Sequence, residues 1–209
     1  EKVHEEMNGE GYDSKAWCVD LSHGLSIKRV FSEISEHFGG IDILINNAGI
    51  SRFAPIDDDD YEIAWHESIA VLLTAHTLTV RAALPHLRRA ENPRIVNIAS
   101  TEGLGATRYG SPYTAAKTGV IGLTRSLAVE LGPEKITVNC VCPGPINTGM
   151  TSAISEEDKA IFARRRTALR RYAEPEEVAH GTLGLVLPAS QYITGVTLPV
   201  DGGLTIRNA

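Results

Sequence analysis

The stretch Ile41-Asp-Ile-Leu-Ile45, which continues as Asn46-Asn47-Ala48-Gly49, decides the fold of this chain of 209 residues. A short and nearly continuous apolar run is typical of a β-strand that is covered on both faces. The polar and small residues after it predict a loop where the strand ends. Strands covered on both faces belong to parallel sheets, because helices lie on either side of such sheets.

Strands and helices alternate along the rest of the chain. The pattern predicts strands at residues 15–19, 41–45, 94–99, 136–142 and 196–200. It predicts helices at residues 25–38, 61–90, 112–131, 156–166 and 176–187. This order indicates an α/β fold in which a doubly wound parallel sheet lies between two helical layers. Ligands bind such sheets beyond the carboxyl ends of the strands, so the loops at residues 46–51, 100–110 and 143–150 are the candidate site.

Composition limits the possible functions. A hydrophobic content of 43% and a charged content of 22% are ordinary for a soluble globular protein. The net charge of −6 and pI near 5.6 argue against a nucleic-acid partner. We find no apolar run of about 18 residues and no signal-peptide pattern, so no membrane span is expected and a cytoplasmic location is predicted. The histidines lack the spacing of metal ligands, and we predict no metal site.

Three cysteines are too few and too irregularly spaced for a framework of disulfides. Cys140 and Cys142 lie two residues apart on a predicted strand, which places both on one face. We therefore predict that they are buried free thiols.

Three side chains form a possible device for proton transfer. Tyr113 and Lys117 lie four residues apart on a predicted helix, so the phenol and the ammonium share a face. The positive charge is expected to lower the pKa of Tyr113 below its usual value of about 10. Such a phenol exchanges a proton with an alcohol or carbonyl oxygen, and Ser100 can hydrogen-bond the same oxygen. The alternative for this spacing is an ordinary amphipathic helix with a surface lysine.

Several motifs in order resemble those of the short-chain dehydrogenase/reductase superfamily. They are Asn46-Asn47-Ala48-Gly49, Ser100, Tyr113-x-x-x-Lys117, Pro143-Gly144 with Thr148, and Asp201-Gly-Gly203. The resemblance covers the chain from about Lys15 onward. It implies a single Rossmann-type domain, residues 1–209, that uses NAD or NADP to interconvert an alcohol and a ketone.

The resemblance also implies roles for individual residues. Tyr113 is the general acid/base, Lys117 adjusts its pKa and binds ribose hydroxyls, and Ser100 orients the carbonyl. The implied adenine contacts are Asp20 and Leu21, and the cofactor cleft is lined by Asn47, Ala48 and Gly49. The nicotinamide carboxamide is held by Pro143, Gly144, Ile146 and Thr148.

The first departure from the family concerns its opening strand, Gly-rich turn and helix. None of these is found in residues 1–209, and no G-x-G-x-x-G occurs. The strand at residues 15–19 would face its neighbour across about 14 Å, the width left by two strands. We therefore expect that the sequence starts inside a longer chain and lacks roughly 40 to 50 residues. If the 209 residues are the whole protein, poor cofactor binding and low stability are expected.

The second departure is Leu72, which stands where the family usually has an Asn that holds a proton-relay water. Leucine cannot carry a proton. Either His76, one turn further along the same face, or a water alone replaces the relay. The alternative is reduced or absent activity.

Three functions are compatible with these residues. The first is a dehydrogenase or reductase for small alcohols and ketones. The second is a 3-oxoacyl-thioester reductase, for which the basic residues 164–171 would dock an acyl carrier. The third is a catalytically impaired relative that acts through oligomer contacts. The resemblance implies a homodimer or homotetramer that associates through the long helix and the Tyr113 helix.

Overall fold

The computed structural model of the chain describes residues 2–208. Its helices are α1 (Lys2–Gly9), α2 (Gly24–Phe38), α3 (Tyr61–Ile69), α4 (Ala75–Leu87), α5 (Ser111–Leu131), α6 (Glu156–Arg166) and α7 (Pro175–Val186). Its strands are β1 (Ile43–Asn46), β2 (Arg94–Ile98), β3 (Thr137–Pro143) and β4 (Thr197–Val200). Short 3₁₀ turns lie at Thr101–Gly103, Gly132–Glu134, Gly149–Thr151 and Pro188–Ser190, and a π-helical turn, Ala70–Thr74, joins α3 to α4. All five predicted helices and four of the five predicted strands are confirmed to within a few residues.

The four strands form one parallel sheet in the order β1-β2-β3-β4. Helices α4 and α5 pack on one face of this sheet, and α7 packs on the other. The predicted three-layer α/β arrangement is therefore confirmed. Because the strands are parallel, their carboxyl ends meet at one edge, where Asn46 pairs in register with Asn97 and Pro143 with Val200.

The central strands carry the hydrophobic core. Every residue of β2 is buried, as are the first six of the seven residues of β3. One cluster, beneath α4 and α5, contains Leu44, Ile95 and Val138, and another, beneath α7, contains Val96 and Val141. Each fully buried aliphatic side chain contributes about 1.5–3 kcal/mol to folding. Cys140 and Cys142 are buried free thiols, as predicted.

The prediction that the first apolar run is covered on both faces was wrong. In β1, Leu44 and Asn46 are buried, whereas Ile43 is 43% exposed and Ile45 is 46% exposed. Helix α4 covers the buried face. On the other face, Ile45 borders the open cavity described below, so the alternating burial is that of a strand covered on one side.

The strand predicted at residues 15–19 was also wrong. This segment has no strand assignment and joins no sheet. A strand requires a hydrogen-bonded neighbour, and β1 pairs only with β2 in the part of the chain that the structure describes. The segment is held instead by side chains, since the Trp17 ring packs edge-on against His37 and Phe38 at the end of α2.

The continuous helix Tyr61–Leu87, made of α3, the π turn and α4, is long and apolar enough to cross a membrane by length and composition. The expectation that the sequence contains no such run was therefore wrong. The same helix is part of the protein interior, because Val80, Ala83 and Leu87 lie in the hydrophobic core beneath the sheet. This packing accounts for part of its apolar composition, since 39% of its most apolar stretch is buried.

Candidate active site

Loops from three strand ends meet above the sheet and, with the first turns of α5 and one side of α7, line an open cavity of about 990 Å³. The residues of the sequence prediction that line it are Asn47, Ala48, Gly49, Ser100, Tyr113, Lys117, Pro143, Gly144, Ile146 and Thr148. Parallel strands bring these loops together although they are far apart in the sequence.

Two predicted residues lie elsewhere. Leu21 lines a smaller neighbouring cavity of about 160 Å³ together with Asn47 and Ala48. Asp20 lines neither cavity. Its exposed carboxylate accepts hydrogen bonds from the Ser22 amide (2.8 Å) and hydroxyl (2.7 Å), and these bonds lower its pKa.

Lys117 is held firmly inside the site. Its side chain is 3% exposed, and its Nζ donates a hydrogen bond of 2.8 Å to the backbone carbonyl of Ile98. The same Nζ lies 5.7 Å from the centre of the Tyr113 ring. Burial disfavours the ammonium form and lowers the pKa of Lys117 to about 8.

The pKa of Tyr113 is raised, so the predicted direction of its shift was wrong. Burial is the largest cause, because removal from water destabilises the phenolate. The hydrogen bond with the Ser100 side chain lowers the pKa, and the negative charge of Glu102 raises it further. Tyr113 is therefore held as the neutral phenol, the form that can donate a proton.

Ser100 follows β2 and caps the short 3₁₀ turn Thr101–Gly103. Its Oγ accepts a hydrogen bond of 3.1 Å from the backbone amide of Glu102. A hydroxyl has one donor and two acceptor sites, so this bond leaves the Ser100 proton for the oxygen of Tyr113 or for a substrate oxygen that takes its place. Ser100 and Tyr113 thus present two polar groups to the same space.

The loop after β3 is fixed by the segment Asp201-Gly-Gly203. The Gly144 amide donates to the Val200 carbonyl at 3.0 Å. A Cβ at Gly144 would lie 2.7 Å from the Cα of Asp201, so only glycine allows the two backbones to approach this closely. The Asp201 carboxylate accepts bonds from the Gly203 amide and from the amide and hydroxyl of Thr205. The motif therefore supports the loop that lines the cavity.

A chain of buried hydrogen bonds beneath the site was not predicted. The Thr79 hydroxyl donates to Asn46 (2.7 Å), Asn46 donates to Asn97 (2.9 Å), and Asn97 donates to Thr124 (3.0 Å). It connects α4, β1, β2 and α5. Its signal in the sequence is a pair of asparagines inside otherwise apolar strands, at positions that the register places side by side.

Leu72 is fully buried in the π turn, with 0% exposure. His76 is 2% exposed, lines the smaller cavity, and its Nε2 has no hydrogen-bond partner within residues 2–208. Burial and the charge of Lys117 lower the pKa of His76 to about 4, against an opposing backbone hydrogen bond with Asn46. His76 is therefore neutral near pH 7 and lies within electrostatic reach of Lys117.

A family model described as "Enoyl-(Acyl carrier protein) reductase" matches residues 1–205. The 3-oxoacyl-[acyl-carrier-protein] reductase FabG of Chlamydia pneumoniae is 36% identical over 206 residues, which cover 97% of this chain and 81% of that protein. Meso-2,3-butanediol dehydrogenase of Serratia marcescens is 35% identical over 187 residues, which cover 90% of this chain and 73% of the enzyme.

Solved structures share the fold over nearly the whole chain. A mutant of a short-chain dehydrogenase/reductase from Serratia marcescens superposes with a TM-score of 0.90 at 29% identity, over 98% of this chain and 82% of that one. A blue fluorescent protein from a metagenomic library, in complex with NADPH, superposes with a TM-score of 0.89 at 29% identity, over 97% and 81% of the two chains.

Proposed function

The chain belongs to the short-chain dehydrogenase/reductase superfamily, and on that premise we propose that Ser100, Tyr113 and Lys117 catalyse its reaction. The protein is an oxidoreductase that transfers a hydride between NAD(P) and an alcohol or ketone. The observation that carries the assignment is that all three side chains line one cavity, with the phenol of Tyr113 held neutral.

The residues around the cavity fit a dinucleotide. Its volume of about 990 Å³ exceeds what a small ketone alone would fill. Lys117 uses one of its three N–H donors on Ile98, which leaves two for ribose hydroxyls. We assign cofactor contacts to Asp20, Leu21, Asn47, Ala48, Gly49, Tyr113, Lys117, Pro143, Gly144, Ile146 and Thr148. NAD(P), when bound, supplies or accepts the hydride.

Each catalytic side chain has one task. In ketone reduction, Ser100 donates a hydrogen bond to the carbonyl oxygen and orients it, and Tyr113 gives its proton to that oxygen. In alcohol oxidation the proton returns to Tyr113. Lys117, buried and cationic at neutral pH, stabilises the phenolate that forms when the proton leaves.

Replacement of Tyr113 by Phe tests this assignment. The substitution removes the proton and little else, so we expect turnover to fall about 10²- to 10⁴-fold. Quenching of NADH or NADPH fluorescence should still report binding. Tyr109→Phe is the matched control, because Tyr109 lies in the neighbouring loop and is 45% exposed. A Tyr113→Phe variant with full turnover would contradict the proposal.

A second candidate function is reduction of a 3-oxoacyl thioester carried by an acidic acyl carrier. It is supported by the similarity to the 3-oxoacyl-[acyl-carrier-protein] reductase of Chlamydia pneumoniae and by three exposed arginines, Arg164, Arg165 and Arg166, in the last turn of α6. Arg171 is already engaged by Glu177 at 2.7 Å. Arg165→Glu should raise KM for a carrier-bound 3-oxoacyl substrate and leave KM for the free thioester unchanged. If Arg165→Glu leaves KM for the carrier-bound substrate at the wild-type value, docking at this helix is contradicted.

The chain is further proposed to be one domain that forms a homodimer or homotetramer. Exposed apolar side chains on the two expected contact helices support this, namely Ile63 and Trp65 on α3 and Val129 on α5. Gly122 of α5 is exposed and faces open space, whereas a Cβ at the half-buried Gly119 would lie 2.7 Å from Leu73 of the same chain. Light scattering on Val129→Glu should show a smaller assembly than the wild type. A cytoplasmic location stays a prediction.

A further inference from the structure

Phe53 lies beside the catalytic phenol, next to the 990 Å³ cavity but not among the residues that line it. Its ring stacks on that of Tyr113 with 6.0 Å between centroids and 23° between planes. The residue is 48% exposed. A single exposed aromatic is common on protein surfaces. What distinguishes this one is its position at the reacting group, together with the way in which it is held.

The backbone around Phe53 fixes the ring in place. The Ala54 amide donates a hydrogen bond of 2.9 Å to the Tyr109 carbonyl, which joins the loop after β1 to the loop before α5. A Cβ at Gly110 would lie only 2.7 Å from Cε1 of Phe53, so the ring sits directly on the Gly110 backbone. Tyr109 holds a left-handed φ of 67° at this junction. A ring fixed before binding loses little conformational entropy when a ligand packs on it.

The charges around this ring disfavour an anion. The Glu102 carboxylate accepts hydrogen bonds from Thr107 (2.7 Å) and Thr114 (3.4 Å), and its charge raises the pKa of Tyr113. The two arginines of this group are engaged elsewhere: Arg52 pairs with Glu67 at 2.6 Å, and the Arg108 guanidinium lies 4.4 Å from the Tyr109 ring centroid. The remaining cation, Lys117, is 3% exposed, and its free donors are assigned to the ribose hydroxyls of the cofactor. A substrate carboxylate on the Phe53 ring would therefore meet the charge of Glu102 without an arginine free to pair with it.

We propose that the substrate site extends past Tyr113 onto the ring of Phe53, and that Phe53 determines specificity by receiving a planar apolar substituent next to the reacting carbon. The substrate class is then neutral aryl ketones and the matching secondary alcohols, rather than 2-oxo or 2-hydroxy acids. The proposal rests on the proposed function, since it places the reacting oxygen at Tyr113. An aromatic substituent gains an offset contact with the Phe53 ring that an alkyl group of similar size lacks.

The test compares three alcohols with the full chain: 1-phenylethanol, 2-butanol and 2-hydroxybutanoate. The wild type should prefer them in that order by kcat/KM. Phe53→Ala should lower kcat/KM for 1-phenylethanol by about 3- to 10-fold, mainly through KM, the size that one aromatic contact supports. The value for 2-butanol should change less than about twofold, and Phe53→Tyr should restore the aryl preference.

Phe38→Ala is the matched control, because Phe38 is 43% exposed and packs on Trp17 away from the cavity. Thermal melts establish that each variant is folded. If Phe53→Ala lowers both alkyl and aryl values equally, or if the wild type oxidises 2-butanol but not 1-phenylethanol, the inference is overturned and the proposed function stands. If the folded wild type oxidises none of the three and does not quench NADH or NADPH fluorescence, the proposed function fails and the inference fails with it.

Discussion

The ammonium of Lys117 donates a hydrogen bond of 2.8 Å to the backbone carbonyl of Ile98, the last residue of β2. This bond ties α5 to the end of the strand that leads into Ser100. Because Tyr113 lies one turn before Lys117 on the same helix, the bond also sets where the phenol stands relative to Ser100. A buried cation is expensive unless it is satisfied, and here its cost depends on pH.

Replacement of Lys117 by Met should reveal that cost. The pKa of Lys117 is about 8 in the folded protein and about 10.5 when unfolded, so the unfolded chain binds more protons between these values. Wild-type stability should therefore rise relative to Lys117→Met as the pH increases from about 8 to 10.5, by up to about 1.4 kcal/mol per pH unit. Urea unfolding of both proteins at pH 7.5 and 9.5 measures the difference. A constant difference would contradict the burial of a charged Lys117.

His76 is predicted to take the place of the missing relay Asn. His76→Phe removes the imidazole and should lower kcat, whereas Leu72→Asn should leave kcat unchanged. Steady-state turnover of both variants separates the two positions. A Leu72→Asn variant that turns over faster than the wild type would show that the wild-type relay is limiting.

The same histidine should affect stability in acid. Its folded pKa of about 4 lies below the usual 6.5, so protonation of His76 favours the unfolded chain. The wild type should lose stability relative to His76→Gln as the pH falls from about 6.5 to 4. Urea unfolding at pH 7 and pH 5 provides the comparison, and the two proteins should respond differently to pH only in this interval.

The buried hydrogen-bond chain should be costly to break. Asn97→Ala leaves the buried side-chain amide of Asn46 without its acceptor, and an orphaned buried group costs about 1–3 kcal/mol. Thr124 loses the donor from Asn97 but keeps its bond of 2.8 Å to the Val120 carbonyl. We expect a clear loss of unfolding free energy in urea. Gln191→Ala, at an exposed position, should change it by less than about 0.5 kcal/mol. Similar losses of unfolding free energy in Asn97→Ala and Gln191→Ala would mean that the buried hydrogen bonds contribute little to stability.

Alanine at Gly144 should disturb cofactor binding. The new Cβ would lie 2.7 Å from the Asp201 backbone, so the loop after β3 must shift. Quenching of NADH or NADPH fluorescence should show weaker binding by about tenfold or more, for a displacement near 1 Å. Gly149→Ala is the control, because nothing lies within 4 Å of its Cβ position. Equal affinity in the two variants would count against the role of this loop.

The sequence was enough to predict that the site residues lie close together, because parallel strands with apolar sequences bring their carboxyl ends to one edge of the sheet. Residues 47–49, Ser100 and Pro143 follow three such strands, and the structure brings all of them to one cavity. The motif residues at the strand ends were therefore enough to predict which residues line the cavity.

Properties that depend on surroundings were not predictable from local sequence. The pKa of Tyr113 depends on how much water its phenol loses, and burial outweighs any effect of nearby charge. The run at residues 41–45 has the composition of a strand that is buried on both faces. Whether each face is buried depends, however, on which helices pack against it. Residues 15–19 have strand propensity, but pairing requires a partner edge that no short window of sequence can supply.

The π-helical turn at Ala70–Thr74 makes the long helix a length-sensitive part of the fold. One residue more or fewer in a helix rotates everything beyond it by about 100°. With α3 packed on α5 and α4 on β1, such a rotation would turn His76, Thr79 and Val80 away from the sheet. Single insertions and deletions in this helix should therefore be excluded among functional variants, while changes at its surface are tolerated.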